Sequence, residues 1–405
     1  MKNGYKPRNA RGKNYSRNYS SNNRRRGGGG GKRKFGKTID PKRFVKPAKF
    51  SEVKEYEPTN TFFDFGFNEV ITQNLVAKNF EKPTQIQDKS IPVILRGEDV
   101  VGIANTGTGK TGAFLLPLLH NLMANRSQKA LIIAPTRELA IQIEKECAAF
   151  AKKSGLFGTL LIGGVPIGPQ LRDLRSRPEI VIGTPGRIKD HLERKTLKLH
   201  DFSYVVLDEV DRMLDMGFIN DIRDILSNLP DQRQSLFFSA TMSNTIKGLI
   251  ETFTNSPVHI MARTAETSDN VDQAVINYKQ DVDKIERLHE LLVLENVQKT
   301  LIFRETKYSV EKLHKELKTR GFSADYMHGG KSQGARQRAL KKFHKDEVDI
   351  LIATDVAARG IDVDGISHVI NYDIPQTYDD YTHRIGRTGR GGEIGYAVTF
   401  VGHRR

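Results

Sequence analysis

The sequence predicts an α/β protein of two tandem domains with parallel sheets, preceded by a disordered basic arm. Three observations predict it. Short β-rich apolar runs alternate with amphipathic helical stretches from about Thr59 onward, which is the pattern of parallel sheets covered on both faces. The alternation breaks once, at a polar stretch over 262–270, and then resumes. The excess charge is localised. Of 64 Lys and Arg and 48 Asp and Glu, 17 and one fall in residues 1–50, which leaves 47 of each in the rest of the chain and puts the whole net +16 at the N-terminus.

The expected divisions are an arm over 1–58, a first domain over 59–261, a linker over 262–270 and a second domain over 271–405. The arm carries Arg24-Arg25-Arg26, the glycines Gly27 to Gly31, then Lys32-Arg33-Lys34. Its scattered apolar residues cannot offset the entropy of ordering it. Such arms attract polyanions, because each phosphate contact releases counterions. Tyr5, Tyr15 and Tyr19 suit stacking on exposed bases. In the first domain, Val100–Ala104, 130–134, 159–162, 180–182, Tyr204–Leu207 and 235–238 read as buried strands, with helices over 110–122 and 137–151. In the second, Thr300–Phe303, Ala324–Met327, Ile350–Ala353, 369–372 and 396–401 read as strands, and 310–319 as a helix.

The longest apolar run, Ala113 to Leu119, is far below the roughly 18 residues of a membrane span. The first 30 residues hold no apolar signal-peptide core. One cysteine, Cys147, excludes an intramolecular disulfide framework and a Cys-rich zinc site. A cytoplasmic protein with no membrane partner is expected.

The strongest local signal is the run Ala104-Asn105-Thr106-Gly107-Thr108-Gly109-Lys110-Thr111, which follows a strand and opens a helix. Glycines let backbone N–H groups cradle phosphates, and the helix N-terminus adds partial positive charge. Lys110 is placed to reach the β- and γ-phosphates and Thr111 to ligate Mg²⁺. Such a loop needs an acidic element on a neighbouring strand. Tyr204 to Leu207 supplies that strand and delivers Asp208 and Glu209 to its carboxyl end. Asp208 is placed to hold Mg²⁺, and Glu209 to orient or deprotonate an attacking water.

Further runs follow in order: Pro135-Thr136-Arg137-Glu138-Leu139-Ala140, Gly163-Gly164, Thr184-Pro185-Gly186-Arg187, Ser239-Ala240-Thr241 and Leu301-Ile302-Phe303. Then come Gln333 with Arg336, Thr354 to Asp362, and His383-Arg384-Ile385-Gly386-Arg387-Thr388-Gly389-Arg390. With the phosphate loop and Asp208 to Asp211, this ordered set resembles the two RecA-like domains of the DEAD-box ATP-dependent RNA helicases of superfamily 2. Pro83-Thr84-Gln85-Ile86-Gln87, with an upstream aromatic at Phe62, resembles the Q motif of that family. Two positions depart from it. Val210 stands where motif II usually has Ala, giving Asp-Glu-Val-Asp. Asn79, before Phe80, stands where the family usually has Gly.

The resemblance implies these roles. Gln87 reads the adenine edge, with Phe80 on the base and Phe62 nearby. Thr106, Gly107, Thr108, Gly109, Lys110 and Thr111 hold the phosphates of ATP. Arg387 and Arg390 act as arginine fingers, and Asp362 meets the ribose or the fingers. Asp211, Ser239, Thr241 and His383 couple the domains. Arg137, Gly164, Thr184, Arg187, Gln333, Arg336 and Thr354 line an RNA backbone path. Closure of the interdomain cleft on ATP and RNA together, in a monomeric core, drives local unwinding of short duplexes. A DNA translocase of superfamily 2 and an ATP-timed RNA clamp or annealing chaperone are the rival readings. The chain ends at Arg405, soon after the last run, and no appended RNA-targeting domain is expected.

Overall fold

The computed structural model describes residues 40–48, 56–105, 107–262, 270–358, 363–389 and 393–402. The arm over 1–39, most of the expected linker (263–269), Thr106, Asp362 and Arg390 lie outside the described residues.

The strands form two all-parallel sheets. The first comprises β1 (Val100–Ala104), β2 (Ala130–Ile133), β3 (Gly158–Leu161), β4 (Ile180–Gly183), β5 (Tyr204–Leu207), β6 (Gln234–Ser239) and β7 (Val258–Ala262). Their order is β3-β4-β2-β5-β6-β1-β7. The second comprises β8 (Val271–Tyr278), β9 (Thr300–Phe303), β10 (Ala324–Met327), β11 (Ile350–Ala353), β12 (His368–Asn371) and β13 (Gly395–Gly402), in the order β10-β11-β9-β12-β13-β8. Helices cover both faces of the first sheet. Ile103, Leu131, Val205 and Phe237 point into one core, and Val100, Ile132, Val206 and Phe238 into the other. The second sheet has the same two-sided burial.

Eleven of these strands sit where the apolar runs place them, within about one residue at each end. β7 and β8 were not expected. Both are edge strands with only partial burial, so Asp272, Gln273 and Asn277 could enter β8 without an apolar run to announce it.

The sequence places the acidic element on a strand beside the phosphate loop. The structure instead puts β6 between β1 and β5. At about 4.8 Å per strand, the loop after β1 and the acids after β5 stand roughly 10 Å apart. That gap leaves room for phosphates.

Asn79 has φ 54°, in the left-handed region. Asparagine tolerates that conformation better than other non-glycine residues, so it replaces glycine there at little cost.

The stretch expected to be disordered, 1–58, needs two corrections: Tyr56 donates its hydroxyl to Asp88 of the first domain at 2.6 Å, and an earlier segment packs against β8. Residues 40–48, within 1–58, fold against β8. A 3₁₀ turn, Pro41–Phe44, is capped by the Asp40 carboxylate, which accepts the Lys42 N–H at 3.0 Å. Phe44 is fully buried. Lys46 exchanges two backbone hydrogen bonds with Gln273, at 3.1 and 2.9 Å. An edge strand offers unpaired N–H and C=O groups, and this segment takes some of them.

Candidate functional site

The loop after β1 turns sharply into the helix Lys110–Ala124. Gly107 and Gly109 have φ of 80° and 89°, a conformation that only glycine adopts freely. A Cβ on Gly109 would also stand 2.6 Å from the Gln87 amide nitrogen. Gln87 is buried between the two motifs it joins. Its Oε1 accepts the Thr84 N–H at 2.9 Å, and its Nε2 donates to the Gly109 carbonyl at 3.0 Å. The amide thus fastens the helix Gln85–Leu95 to the loop. Phe62 is buried, and its ring lies tilted 5.7 Å from that of Phe80, which lines the cavity beyond it. Thr108 donates to the Asn105 carbonyl at 2.8 Å, and the Lys110 ammonium donates to the Ala104 carbonyl at 3.0 Å.

Asp208 stands at the carboxyl end of β5 and accepts the Glu209 N–H at 2.9 Å. Burial pushes its carboxyl up to about 6, with the Glu209 and Asp211 charges adding and Lys110 opposing. A buried carboxylate beside two further acids, Glu209 and Asp211, with Thr111 lining the same cavity, is a fit for a hard cation. Mg²⁺ in particular keeps waters and substrate phosphates around one or two protein oxygens. Among the described residues no cluster of three acids or histidines could hold a metal unaided.

Glu209 has φ 53° and ψ 54°, in the left-handed region. A non-glycine residue there costs on the order of 1–2 kcal/mol, strain of the kind found at functional sites. Its carboxylate is held at 3.0 Å by the buried guanidinium of Arg212.

Asp211 ties this strand end to the end of β6. Its Oδ2 accepts the Ala240 N–H at 3.1 Å, the Thr241 N–H at 2.9 Å and the Thr241 hydroxyl at 3.1 Å. Its own N–H donates to the Ser239 hydroxyl at 3.3 Å. Because β6 lies between β5 and β1, Ser239 is within reach of both. Val210 is fully buried in the core beneath, with Met213, Ile246 and Phe237.

From the second domain, Arg387 reaches the same cavity of about 200 Å³ as Lys110, Thr111, Asp208 and Glu209. His383 is mostly buried. Its pKa is lowered, first by burial and then by the Arg212 charge, while Asp211 of the first domain opposes. Both residues are carried by the helix Tyr378–Ile385 and the turn after it. Between them Arg384 fixes that helix. Its guanidinium pairs with both Asp355 oxygens, at 2.6 and 2.7 Å, and donates to the Asn371 side chain at 3.1 Å.

Four of the seven residues expected along the RNA path line a second interdomain cleft of about 410 Å³: Arg137, Thr184 and Arg187 of the first domain and Arg336 of the second. The Gly163-Gly164 pair exists to seat Arg137. A Cβ on Gly164 would fall 2.0 Å from its guanidinium. Arg187 donates to the Val165 carbonyl at 3.3 Å. Gln333 and Arg336 open the helix Gln333–His344 and both reach Glu138 across the cleft, at 2.9 and 2.8 Å. Three buried polar atoms here, Arg187 Nη1, Gln333 Oε1 and Arg336 Nε, have no protein partner among the described residues. Thr354 is buried at the end of β11, and its carbonyl accepts the N–H groups of Ala357 and Ala358.

Sequence reading gave no role to Glu138 or Arg212. Both sit next to residues it did assign, Arg137 and Asp211. Arg212 stands three residues after Glu209, a helical ion-pair spacing that could have marked it, whereas nothing local marks Glu138, whose partners lie in the second domain.

The chain matches the DEAD/DEAH box helicase family over residues 84–249 and the helicase conserved C-terminal domain over residues 283–392. It is 44% identical over 341 residues to the ATP-dependent RNA helicase CshA of Listeria monocytogenes, covering 84% of this chain and spanning 66% of that protein's length. Among solved structures it resembles S. cerevisiae Dbp5 bound to RNA and ADP BeF3, with TM-score 0.74, 29% identity and coverage of 85% and 90% of the two chains. It also resembles Mss116p bound to ssRNA and AMP-PNP, with TM-score 0.75, 30% identity and coverage of 86% and 76%. By these matches and the ordered set of motifs, the chain belongs to the DEAD/DEAH box helicase family.

Proposed function

We propose that this protein is an RNA-dependent ATPase that converts ATP and water to ADP and phosphate, and uses the closing of its two domains to open short RNA duplexes locally. The carrying observation is that Arg387 of the second domain lines one cavity with Lys110, Asp208 and Glu209 of the first. A site split this way works only when the domains are together.

The proposed roles are those the family resemblance implies. Phe80 packs on the adenine, and Gln87 turns its amide from Gly109 and Thr84 toward the base. Gly107, Thr108, Gly109 and Lys110 hold the phosphates, with Thr106 completing the loop. Thr111 and Asp208 hold Mg²⁺, which when bound neutralises phosphate charge. Glu209 takes the proton of the attacking water. Arg387 meets charge building on the transferred phosphoryl group; a second finger at Arg390 and a contact of Asp362 with the ribose or the fingers follow from the family resemblance. Asp211, Ser239, Thr241 and His383 carry closure to the acids. Val210 is a packing variant of motif II that leaves this chemistry intact.

RNA runs through the second cleft, with its phosphates on Arg137, Arg187, Gln333 and Arg336 and its backbone along Gly164, Thr184 and Thr354. The unpartnered buried polar atoms support this, as do the RNA-bound states of Dbp5 and Mss116p. Backbone contacts carry little sequence information, so the basic N-terminal arm supplies further affinity. The boundaries 59–261 and 271–405 for the two domains, a monomeric core and a cytoplasmic setting complete the reading. No helix among the described residues is long and apolar enough to cross a membrane.

The arm's charge also favours a second reading, an ATP-timed clamp or annealing chaperone. One experiment separates them. Strand separation of a short RNA duplex is followed with ATP and with a non-hydrolysable analogue, and ATPase stimulation by single-stranded RNA is compared with that by DNA. Unwinding that needs ATP, with stimulation by RNA alone, is expected. Faster annealing without separation supports the clamp, and equal stimulation by DNA supports a DNA translocase.

A further inference from the structure

The segment 40–48 was expected to belong to the arm, yet it completes the core beneath the helix that carries His383 and precedes Arg387. Phe44 is fully buried in a small cluster with Val271, Tyr381, Ile385 and Ala397. Its ring lies 4.7 Å from that of Tyr381. One residue earlier, the Arg43 guanidinium sits 4.0 Å above the Tyr378 ring, at the start of the same helix. Two residues later, Lys46 pairs with Gln273 of β8, and the Gln273 side chain accepts the Tyr381 hydroxyl at 2.9 Å. The segment therefore touches the helix Tyr378–Ile385 at its first turn, at its middle and through β8.

The helix faces two ways. Arg384 holds it to Asp355 on one side, and Tyr381 and Ile385 meet Phe44 on the other. Removing Phe44 would leave the second side with four buried residues and a gap the size of a phenyl ring. Cores are close-packed, and neighbours move to fill such a gap. Here the neighbour is the helix. Arg387 follows it by a single turn, its N–H donating to the Arg384 carbonyl at 3.2 Å, so tilting the helix displaces the guanidinium from the cavity. Displacements of about 1 Å cost rates on the order of a hundredfold in well-aligned sites.

We infer that Phe44, held by the Lys46–Gln273 pairing, is a positioning residue for Arg387: an N-terminal segment outside both matched domains sets the second domain's contribution to phosphoryl transfer. This rests on the reading of Arg387 as the group that meets phosphoryl charge.

The test compares Phe44→Ala, Phe44→Leu and Arg387→Ala in the full chain. It measures kcat and KM for ATP at saturating RNA, and hydrogen exchange of the Tyr378–Ile385 amides. Phe44→Ala is expected to lower kcat about tenfold or more with KM within about twofold, and to speed exchange in that helix. Phe44→Leu, which refills most of the space, should recover most of kcat. A kcat within about twofold of wild type for Phe44→Ala, or equal losses for the Ala and Leu variants, overturns the proposal. If Phe44→Ala does not fold, Lys46→Pro replaces it, since it removes the N–H given to Gln273, together with the lysine side chain, while leaving Phe44 in place, and the same outcomes apply. An active Arg387→Ala would sink the underlying reading instead, whatever Phe44 does.

Discussion

The two interdomain clefts are made from the same pair of domains but in opposite ways. At the nucleotide face each domain braces its own half. Asp211 is satisfied by Ala240 and Thr241 within the first domain, and Arg384 by Asp355 within the second. The domains then meet around a cavity. At the other cleft they meet in direct contact, because Glu138 of the first domain takes both Gln333 and Arg336 of the second. Each domain builds its own half of the nucleotide site, and the Glu138 contacts join the domains where RNA is proposed to bind. On this account RNA controls hydrolysis by stabilising one arrangement of two prebuilt halves.

The largest effect that would break this comparison is at Arg387. Replacing it with Ala should lower RNA-stimulated phosphate release by roughly 10³–10⁵ while RNA binding to the open form stays. Rapid-quench hydrolysis beside an RNA titration checks both. Matched losses of rate and RNA affinity would make Arg387 an RNA contact and merge the two clefts.

Glu138 should give the intermediate effect. Glu138→Gln keeps the shape and removes the charge facing Arg336. Hydrogen bonds to charged groups contribute about 1.5–3 kcal/mol, so RNA stimulation of turnover should fall roughly tenfold to a hundredfold. Turnover without RNA should change little. Distance between fluorophores on the two domains reports closure directly, and an unaltered closed population in the variant would remove Glu138 from the account.

The smallest effect belongs to Val210. It is buried with Met213, Ile246 and Phe237, so Val210→Ala should leave a small cavity costing about 1–2 kcal/mol with turnover within a few-fold. Thermal melting beside the ATPase assay distinguishes packing from chemistry, since a folded but inactive variant would give the valine a chemical role.

The nucleotide half was more legible than the other. Glycines with positive φ, a lysine and paired acids at strand ends are local signals, and Lys110, Asp208 and Glu209 line one cavity although β6 stands between their strands. Contacts that bind elements far apart in sequence leave no such mark. The partner of Glu138 lies 195 residues away, and nothing in Pro-Thr-Arg-Glu-Leu-Ala names it. Phe44 was hidden differently. A Phe-Val pair among prolines, lysines and an arginine has no periodicity, and only the unpaired edge of β8, itself unseen, explains why that stretch folds.

The most direct test measures both affinities of one thermodynamic cycle: a non-hydrolysable ATP analogue with and without short single-stranded RNA, and that RNA with and without the analogue. If both ligands favour the same closed arrangement, each must tighten the other by the same factor, on the order of fivefold or more, and Glu138→Gln must shrink both factors together. Affinities that are independent of one another in the wild-type protein would contradict the claim that RNA acts by bringing the two halves together.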